Sequence, residues 1–314
     1  MPNTKPTRIL IAGKMVADLA ARIAEVRPDL ELRQRALDAV TAADLDWAEV
    51  FVGFRKPPVP GWGSVRWIHS IGAGVDGLIL RESPPAGVLL TKSGEDFGPA
   101  IGEWCLARAL AVNQFLADLD LDQRERRWNR EREPRLLRGQ RAVILGTGQV
   151  GRGIGRAFRS LGCRVSGLSR SGAATPDFGD VSTADRFADV VAGADWLILA
   201  APLTPATAGF LSRTRLAQCG GTYLMNVGRG ALVDEAAIPW AIDHGHLSGA
   251  ALDVFTTEPL PSDSPLWVHP KITIAPHISG PSTLAATLAG FLETLGQVDR
   301  GETPRLAVDP AQGY

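Results

Sequence analysis

Three polar side chains in the second half of the sequence follow short apolar runs and have the types needed for acid–base chemistry on a small acid. The three are Arg229 after the run Tyr223–Val227, Glu258 after Ala250–Val254, and His277 after Ile272–Ala275. A guanidinium binds a carboxylate through two parallel hydrogen bonds, and a histidine exchanges a proton near neutral pH when a neighbouring carboxylate orients its ring. If the runs are strands of one parallel sheet, ligands bind beyond their carboxyl ends. We therefore expect these three side chains to line one site.

A glycine-rich loop follows another predicted strand of the same sheet. Gly146-Thr147-Gly148-Gln149-Val150-Gly151 comes directly after Ala142–Leu145 and opens a segment predicted as helix through Leu161. The first glycine permits a tight turn, the second lets a pyrophosphate approach the backbone, and the third lets helix and strand pack closely. The helix N-terminus adds the positive end of its dipole. This context predicts a dinucleotide site, and the alternative is a purely structural glycine turn.

The end of the next predicted strand, Arg164–Leu168, determines which dinucleotide fits. An acidic residue at that place would bind the ribose 2′-hydroxyl of NAD. The sequence has Ser169-Arg170-Ser171 instead, so no carboxylate repels a 2′-phosphate, while two hydroxyls and a guanidinium can bind it. These residues favour NADP(H). The alternative is that Arg170 is a solvated surface arginine and that NAD binds.

The elements that must position these residues alternate between short apolar runs and longer periodic stretches, which predicts parallel sheets covered by helices. A first series starts with the strand Arg8–Gly13, continues with Ala48–Phe54 and Val65–Ile71, and ends near residue 97. A second series has these predicted strands: Ala142–Leu145, Arg164–Leu168, Trp196–Ala200, Tyr223–Val227, Ala250–Val254 and Ile272–Ala275. The pattern therefore predicts two α/β domains.

Three further segments connect or follow these series. Pro99 can start a long helix whose apolar residues reach Leu116, because proline is tolerated in the first helical turn. The stretch Arg124–Arg141 is crowded with charges and has no apolar face, so we predict a solvated arm. The segment Ser282–Arg300 has the apolar spacing of a final helix.

Length and composition limit the class of protein. The chain has 314 residues, of which 45% are hydrophobic and 21% charged, as in an ordinary soluble protein of about two domains. A formal net charge of −1 argues against nucleic acid and anionic membranes as partners. No apolar run approaches the ~20 residues of a membrane span. Cys105, Cys163 and Cys219 lack metal-ligand spacing, and His244 and His246 would lie on different faces of a helix. We therefore expect no metal and a reduced, cytoplasmic, unprocessed protein.

Several motifs together, in their order and approximate spacing, resemble the D-isomer-specific 2-hydroxyacid dehydrogenase family over nearly the whole chain. The motifs are Gly72-Ala73-Gly74-Val75-Asp76, Gly146–Gly151, Pro202-Leu203-Thr204-Pro205 with Thr207, Asn226-Val227-Gly228-Arg229-Gly230, Leu252-Asp253-Val254-Phe255 with Glu258-Pro259-Leu260, and Pro276-His277. The resemblance implies an α/β fold of two doubly wound parallel-sheet domains. A Rossmann coenzyme domain of residues 98–281 would be inserted in a flavodoxin-like substrate domain of residues 1–97 and 282–314.

The resemblance also implies a role for each site residue. Arg229 would bind and polarise the substrate, Glu258 would be the partner of the histidine, and His277 would be the proton donor. A hydride would pass from the nicotinamide to the carbon of a small 2-keto acid and give the D-2-hydroxy acid. The backbone N–H groups of Ala73, Gly74 and Val75 would bind the substrate carboxylate. The expected coenzyme contacts outside the glycine loop are Ser169, Arg170, Ser171, Pro202, Thr207, Val227, Gly228, Asp253 and Gly280.

Within the family the chain looks most similar to bacterial glyoxylate and hydroxypyruvate reductases. The grounds are its compact length, the Ser-Arg-Ser at the ribose position, and Val308-Asp309-Pro310 followed by a terminal Gly313-Tyr314. Two places depart from the family pattern: Ile101-Gly102-Glu103-Trp104 stands where Val-Ala-Glu-His is common, and Ile278-Ser279-Gly280 stands where Ala-Gly or Ala-Ala usually follows the histidine. Neither departure removes a catalytic group.

The resemblance suggests a homodimer, with Trp128 of the charged arm at the subunit contact and near the neighbouring subunit's site. Two alternatives to the NADPH-dependent reductase stay open. One is an NADH-preferring dehydrogenase acting on another 2-keto acid. The other is a coenzyme-sensing protein of the corepressor type, in which partner binding is the main role.

Overall fold

The chain folds into two compact units in a computed structural model that describes residues 5–13, 16–94 and 96–310. The first unit comprises Met1–Glu95 with Ser282–Tyr314, and the second comprises Asp96–Pro281. The sequence places this first boundary two residues later, after residue 97. Gly313 and Tyr314, which contribute to the resemblance, lie outside the described residues. Across the described ranges, no helix has both the length and the apolar character that a membrane span requires.

The first unit is a five-stranded parallel sheet with helices packed against it. Its strands are β1 (Arg8–Ala12), β2 (Glu31–Arg35), β3 (Val50–Gly53), β4 (Trp67–Ser70) and β5 (Leu89–Thr91). Its helices are α1 (Val16–Val26), α2 (Ala42–Trp47), the short α3 (Asp76–Ile79) and the C-terminal α10 (Leu284–Asp299). The strand order β2-β1-β3-β4-β5, with every pair parallel, is the flavodoxin-like order.

The second unit is a seven-stranded parallel sheet. Its strands are β6 (Arg141–Leu145), β7 (Arg164–Ser169), β8 (Asp180–Thr183), β9 (Trp196–Leu199), β10 (Thr222–Asn226), β11 (Leu247–Leu252) and β12 (Ile272–Ile274). Its helices are α4 (Gly98–Asn113), α5 (Leu116–Arg124), α6 (Gln149–Ser160), α7 (Phe187–Val191), α8 (Arg213–Leu216) and α9 (Ala237–Asp243). The order β12-β11-β10-β9-β6-β7-β8 is the Rossmann order with one added edge strand, which confirms the predicted fold class.

Burial on both faces explains why the central strands read as continuous apolar runs. All four residues of β9 are buried, and they alternate between two hydrophobic clusters. Leu197 and Leu199 pack with Leu145 on one face of the sheet. Trp196 and Ile198 pack on the opposite face against the cluster that contains α6 residues. This period of two is expected for a parallel strand covered by helices on both sides.

The predicted helix from Pro99 to Leu116 is wrong as a single element. The structure divides this segment into α4 and α5, because Phe115 has φ of 56° and cannot continue a right-handed helix. The residues after α5 form the expected exposed arm, in which Trp128 is 91% exposed and Leu137 is buried. The structure adds three strands that the sequence does not predict: β2, β5 and β8.

The topology determines where a ligand site can form in the second unit. β6 lies in the sheet between β7 and β9, so the chain reverses its winding direction there. Loops that follow adjacent strands on either side of such a point diverge and leave a crevice. The glycine loop follows β6, and the loops after β10, β11 and β12 lie farther along the same edge.

Candidate active site

Each glycine of the loop after β6 has its own steric reason. Gly146 has φ of 102°, and a Cβ on it would lie 2.7 Å from the carbonyl oxygen of Ala200. A Cβ on Gly151 would collide with the carbonyl oxygen of Gly146. Gly148 caps the N-terminus of α6 and has open space on its Cβ side, with nothing within 4 Å. The loop is therefore tight at its two ends and open at its middle, which fits the close approach of a dinucleotide pyrophosphate.

A cavity of about 350 Å³ opens at this loop. Its lining residues are Asp96, Thr147, Gly148, Gln149, Arg152, Arg156 and Thr175. The guanidiniums of Arg152 and Arg156 both contact one carboxylate oxygen of Asp177, at 2.6 and 3.3 Å. The lining also includes the carboxyl group of Asp96, so the two guanidiniums are matched by two acidic side chains, and the N-terminus of α6 adds the positive end of its dipole. The cavity therefore combines guanidinium groups with a helix N-terminus, two features that can bind a phosphate.

The predicted ribose position, at the end of β7, has the polar character that the sequence indicates. Arg170 is exposed there. The hydroxyl oxygens of Ser169 and Ser171 accept backbone N–H bonds from Gly172 and Ala173, at 3.0 and 3.2 Å. These bonds hold the turn and leave each hydroxyl hydrogen available to an anion.

The loop after β9 is held by one hydroxyl. Thr207 Oγ1 donates to the carbonyl oxygen of Pro202 at 2.7 Å and accepts the backbone N–H of Thr204 at 2.8 Å. Pro202 itself is exposed. The structure thus gives Thr207 a role in shaping this loop, and its contact with a coenzyme stays a prediction.

The catalytic candidates Glu258 and His277 are in direct contact. Nδ1 of His277 lies 3.1 and 3.0 Å from the two carboxylate oxygens of Glu258. The backbone N–H of Phe255 donates to Glu258 Oε1 at 3.1 Å and holds the carboxylate in place. The two side chains are 38% and 21% exposed, for His277 and Glu258 respectively. Because Glu258 occupies Nδ1, the ring atom of His277 that can act on another group is Nε2.

The backbone of His277 is held by a residue of the neighbouring strand end. The N–H of His277 donates to the carbonyl oxygen of Asp253 at 2.8 Å. The next two backbone N–H groups, of Ile278 and Ser279, donate to the Asp253 carboxylate at 2.9 and 3.0 Å. His277 has φ of 56°, a conformation that a side-chain-bearing residue keeps only when its surroundings impose it. Asp253 thus holds the turn that contains His277. Its contact with a coenzyme stays a prediction.

Arg229 lies on the loop after β10, and Asn226 shapes that loop. The side chain of buried Asn226 donates to the carbonyl oxygen of Arg229 at 2.9 Å and accepts the N–H of Gly228 at 3.2 Å. Arg229 Nη1 donates to the carbonyl oxygen of Gly228 at 2.7 Å. A Cβ on Gly230 would collide with the backbone at Phe255, so this loop touches the one that carries Glu258.

Arg229, Glu258 and His277 thus follow three adjacent strands, β10, β11 and β12, as the sequence predicts. Sequence reasoning did not single out Asn226, although an amide at the end of a fully buried strand was a usable signal. It also passed over Arg152 and Arg156, whose spacing of four residues on α6 places them on one helix face. Gly280 packs against α4, since a Cβ on it would lie 3.0 Å from the Ile101 side chain.

The predicted carboxylate-binding residues Ala73, Gly74 and Val75 lie in the first unit, between β4 and α3. The hydroxyl of Ser70 donates to the carbonyl oxygen of Gly74 at 2.7 Å and holds this loop. Within the described part of the chain, no bond uses the backbone N–H groups of residues 73–75 as donors.

Among the residues that the structure describes, no group of three or more His, Cys, Asp or Glu side chains is arranged to hold a metal ion.

The chain is similar to known dehydrogenases in sequence and in fold. Residues 106–279 match the family model described as D-isomer specific 2-hydroxyacid dehydrogenase, NAD binding domain. Glyoxylate/hydroxypyruvate reductase A of Serratia proteamaculans (strain 568) is 33% identical over 260 residues, which are 80% of this chain and 82% of that protein.

Two solved structures of this family have the same fold over nearly the whole chain. One is a D-isomer specific 2-hydroxyacid dehydrogenase from Xanthobacter autotrophicus Py2 in complex with NADPH and MES; it has a TM-score of 0.88 and 27% identity, and covers 99% of this chain and 100% of that one. The other is a D-isomer specific 2-hydroxyacid dehydrogenase family protein from Aeromonas salmonicida subsp. salmonicida A449. It has a TM-score of 0.84 and 28% identity, and the match covers 98% of this chain and 100% of that one. The chain therefore belongs to the D-isomer-specific 2-hydroxyacid dehydrogenases and is an NAD(P)-dependent enzyme of that family.

Proposed function

We propose that this enzyme reduces a small 2-keto acid of the glyoxylate or hydroxypyruvate type to the D-2-hydroxy acid, prefers NADPH, and uses His277 as its proton donor. The observation that carries the proposal is the contact between His277 Nδ1 and the Glu258 carboxylate, at 3.0 and 3.1 Å. It fixes the ring and leaves Nε2 for a substrate oxygen. Arg229, on the loop that touches the Glu258 loop, supplies the cation that a keto acid needs.

The residues divide the work of the reaction in the following way. The bound coenzyme supplies the hydride for the keto carbon. The guanidinium of Arg229 binds the acid and polarises its carbonyl group. Nε2 of His277 gives its proton to the keto oxygen, while Glu258 keeps Nδ1–H hydrogen-bonded and stabilises the imidazolium before transfer. In the first unit, the N–H groups of residues 73–75 would bind the substrate carboxylate.

The preference for NADPH rests on two features of the second unit. The end of β7 has Ser169-Arg170-Ser171 and no carboxylate to repel a 2′-phosphate. The cavity at the glycine loop adds the guanidiniums of Arg152 and Arg156 beside the N-terminus of α6. The related Xanthobacter structure was solved with NADPH, which supports the same choice for this chain.

We further propose that the enzyme is a homodimer that works in the cytoplasm. Apolar side chains on α5 and the arm are exposed in the single chain: Leu116, Leu119, Leu121, Trp128 and Leu136. An exposed apolar surface of this kind is typical of a subunit contact. Free, buried Cys105, Cys163 and Cys219 suit a reducing compartment. Light scattering after gel filtration tests the dimer, since a monomeric mass at micromolar concentration would refute it.

The experiment that tests the reaction is a set of initial rates of coenzyme oxidation, with hydroxypyruvate and glyoxylate, each measured with NADPH and NADH. We expect turnover with both acids and a higher kcat/KM for NADPH. Equal or better rates with NADH would keep the reductase and refute the coenzyme preference. Absence of turnover with every combination would refute the substrate class and favour another keto acid or a coenzyme-sensing role.

A further inference from the structure

The carboxylate of Asp253 is fully buried. Three hydrogen bonds from other residues take the place of its lost contacts with water. Oδ1 accepts the N–H of Ile278 at 2.9 Å. Oδ2 accepts the N–H of Ser279 at 3.0 Å and the hydroxyl of Ser279 at 2.5 Å. Between described residues, no ion pair within 4.0 Å involves Asp253. A buried carboxylate without a cationic partner depends on the hydrogen bonds that it receives.

The thiol of Cys105 is close enough to Asp253 for the carboxylate to affect its pKa. Burial raises the pKa of Cys105, and the negative charge of Asp253 raises it further. Cys105 is on α4 and is fully buried. The charge of Asp253 therefore acts in a region shielded from solvent, where each donor matters more than at a surface.

The same residue holds the turn that carries His277. Asp253 receives three consecutive backbone N–H groups, those of His277, Ile278 and Ser279, through its carbonyl and its two carboxylate oxygens. His277 needs this restraint because its φ of 56° is unfavourable for a residue with a side chain. The direction of the imidazole, and so its contact with Glu258, depends on the turn.

We propose that Ser279 is a positioning residue of this enzyme: its hydroxyl holds the Asp253 carboxylate, and through it the turn that aims His277 at Glu258 and at the substrate. The inference rests on the proposed function of His277 as proton donor. Ser279 is 4% exposed, so water cannot replace its hydroxyl without rearrangement.

The test compares Ser279→Ala with Ser279→Thr, which keeps the hydroxyl, and with the control Thr222→Val. Thr222 is also buried and its hydroxyl donates to the carbonyl oxygens of Ala194 and Cys219, at 2.8 and 2.5 Å. It lies at the amino end of β10, the edge of the sheet opposite to the site. The control thus removes a buried hydroxyl of similar kind away from the chemistry.

We expect Ser279→Ala to lower kcat by about 10-fold, because a small misalignment of a reacting group has a large effect on rate. The coenzyme Kd is measured by tryptophan fluorescence in each variant and kcat is compared at saturating coenzyme, because Ser279 bonds to Asp253 and precedes Gly280, which are both expected coenzyme contacts. Ser279→Thr should recover most of kcat, and Thr222→Val should lower thermal stability without changing kcat. If Ser279→Ala does not fold, Ser279→Cys, which keeps a weaker donor, is measured in its place.

A second readout separates this inference from the proposed function. The ¹⁵N and ¹H resonances of the His277 ring are recorded in the coenzyme-free protein, with assignment by His277→Ala. We expect Ser279→Ala to shift and broaden the Nδ1 signal, whereas Thr222→Val leaves it unchanged. An unchanged His277 signal with unchanged kcat would overturn the positioning role. If the wild-type protein reduces no keto acid, the proposed function is refuted. The His277 ring signal still tests the role of Ser279 in that case.

Discussion

Glu258 meets Nδ1 of His277 with both of its carboxylate oxygens, although the two residues lie 19 positions apart on separate loops. The loops follow the adjacent strands β11 and β12, so the register of the sheet brings the side chains together. Separate contacts hold each partner: the Phe255 N–H holds Glu258, and Asp253 holds the backbone of His277. The pair is therefore held in place by other residues of the same chain.

Replacing Glu258 by glutamine should lower kcat/KM for hydroxypyruvate by about 100-fold, since the neutral amide no longer stabilises the imidazolium that donates the proton. The measurement is the steady-state rate with saturating NADPH. Glu293→Gln is the matched control, because it removes a carboxylate from an exposed ion pair with Arg305, 3.2 Å away. A Glu258→Gln enzyme as active as that control would refute the role of the pair.

Replacing Arg170 by alanine should raise the KM for NADPH by about 10- to 100-fold and leave the KM for NADH nearly unchanged. The expected loss is that of a charge-assisted hydrogen bond to the 2′-phosphate, which NADH lacks. Arg164→Ala is the control: this arginine starts the same strand, and its guanidinium bonds to the Gly139 carbonyl oxygen at 3.0 and 3.2 Å. Equal losses with both coenzymes would contradict the assignment of Arg170.

Two glycine substitutions in the same loop should have opposite kinds of effect. Gly148→Ala should fold normally, because its Cβ meets nothing within 4 Å, but should weaken NADPH binding by about 10-fold or more, because the added methyl faces the pyrophosphate position. Gly151→Ala should destabilise the protein by about 1–3 kcal/mol, because its Cβ collides with the Gly146 carbonyl oxygen. Thermal unfolding and fluorescence titration measure the two effects. Reduced stability of Gly148→Ala with intact binding would count against a coenzyme at this loop.

His69 should make the protein lose stability in mild acid. Its side chain is fully buried, with Nδ1 2.8 Å from Thr91 Oγ1, and burial lowers the pKa of His69 to about 3. Because the folded-state pKa lies below the unfolded value of about 6.5, the unfolded chain binds the proton first. The contribution of neutral His69 is thus fully present above pH 6.5 and falls by about 1.4 kcal/mol per pH unit between pH 6.5 and pH 3.

Urea unfolding at pH 7, 6 and 5 tests this prediction with His69→Gln as the comparison. Carboxylates also titrate in acid, and the difference between the two proteins isolates the histidine. The wild-type protein should lose more stability than the variant over this range. Parallel losses in both proteins would show that His69 does not control the acid response.

The sequence predicted the elements whose residues are buried on both faces. β6, β9 and β10 are continuous apolar runs because helices cover both sides of the sheet. β2 and β8 escaped prediction because they are edge strands: Glu31–Arg35 and Asp180–Thr183 are polar and partly exposed, so no apolar pattern marks them. The sequence also does not predict the break between α4 and α5. The apolar spacing continues through Phe115, although the backbone of this residue has a left-handed conformation.

In the candidate site, too, the sequence predicts some residues and not others. Residues that carry chemistry, such as Arg229 and His277, could be found from type and place after a strand. Residues that position them act through hydrogen bonds that spacing along the chain does not reveal: Asn226 bonds to Arg229 within its own loop, and Ser279 bonds to Asp253 on another loop. The sequence analysis also omits Arg152 and Arg156, although their spacing of four residues on α6 places them on one helix face.

The central claim is that His277 gives the proton during keto-acid reduction, and replacing it tests this most directly. The measurement is kcat for hydroxypyruvate reduction with saturating NADPH, in His277→Ala and in His269→Ala. His269 is also paired with a carboxylate, Asp243 at 3.5 Å, but it precedes β12 at the other edge of the sheet. The account predicts a loss of at least about 100-fold for His277→Ala and nearly wild-type activity for His269→Ala. Unchanged reduction by His277→Ala would contradict the mechanism.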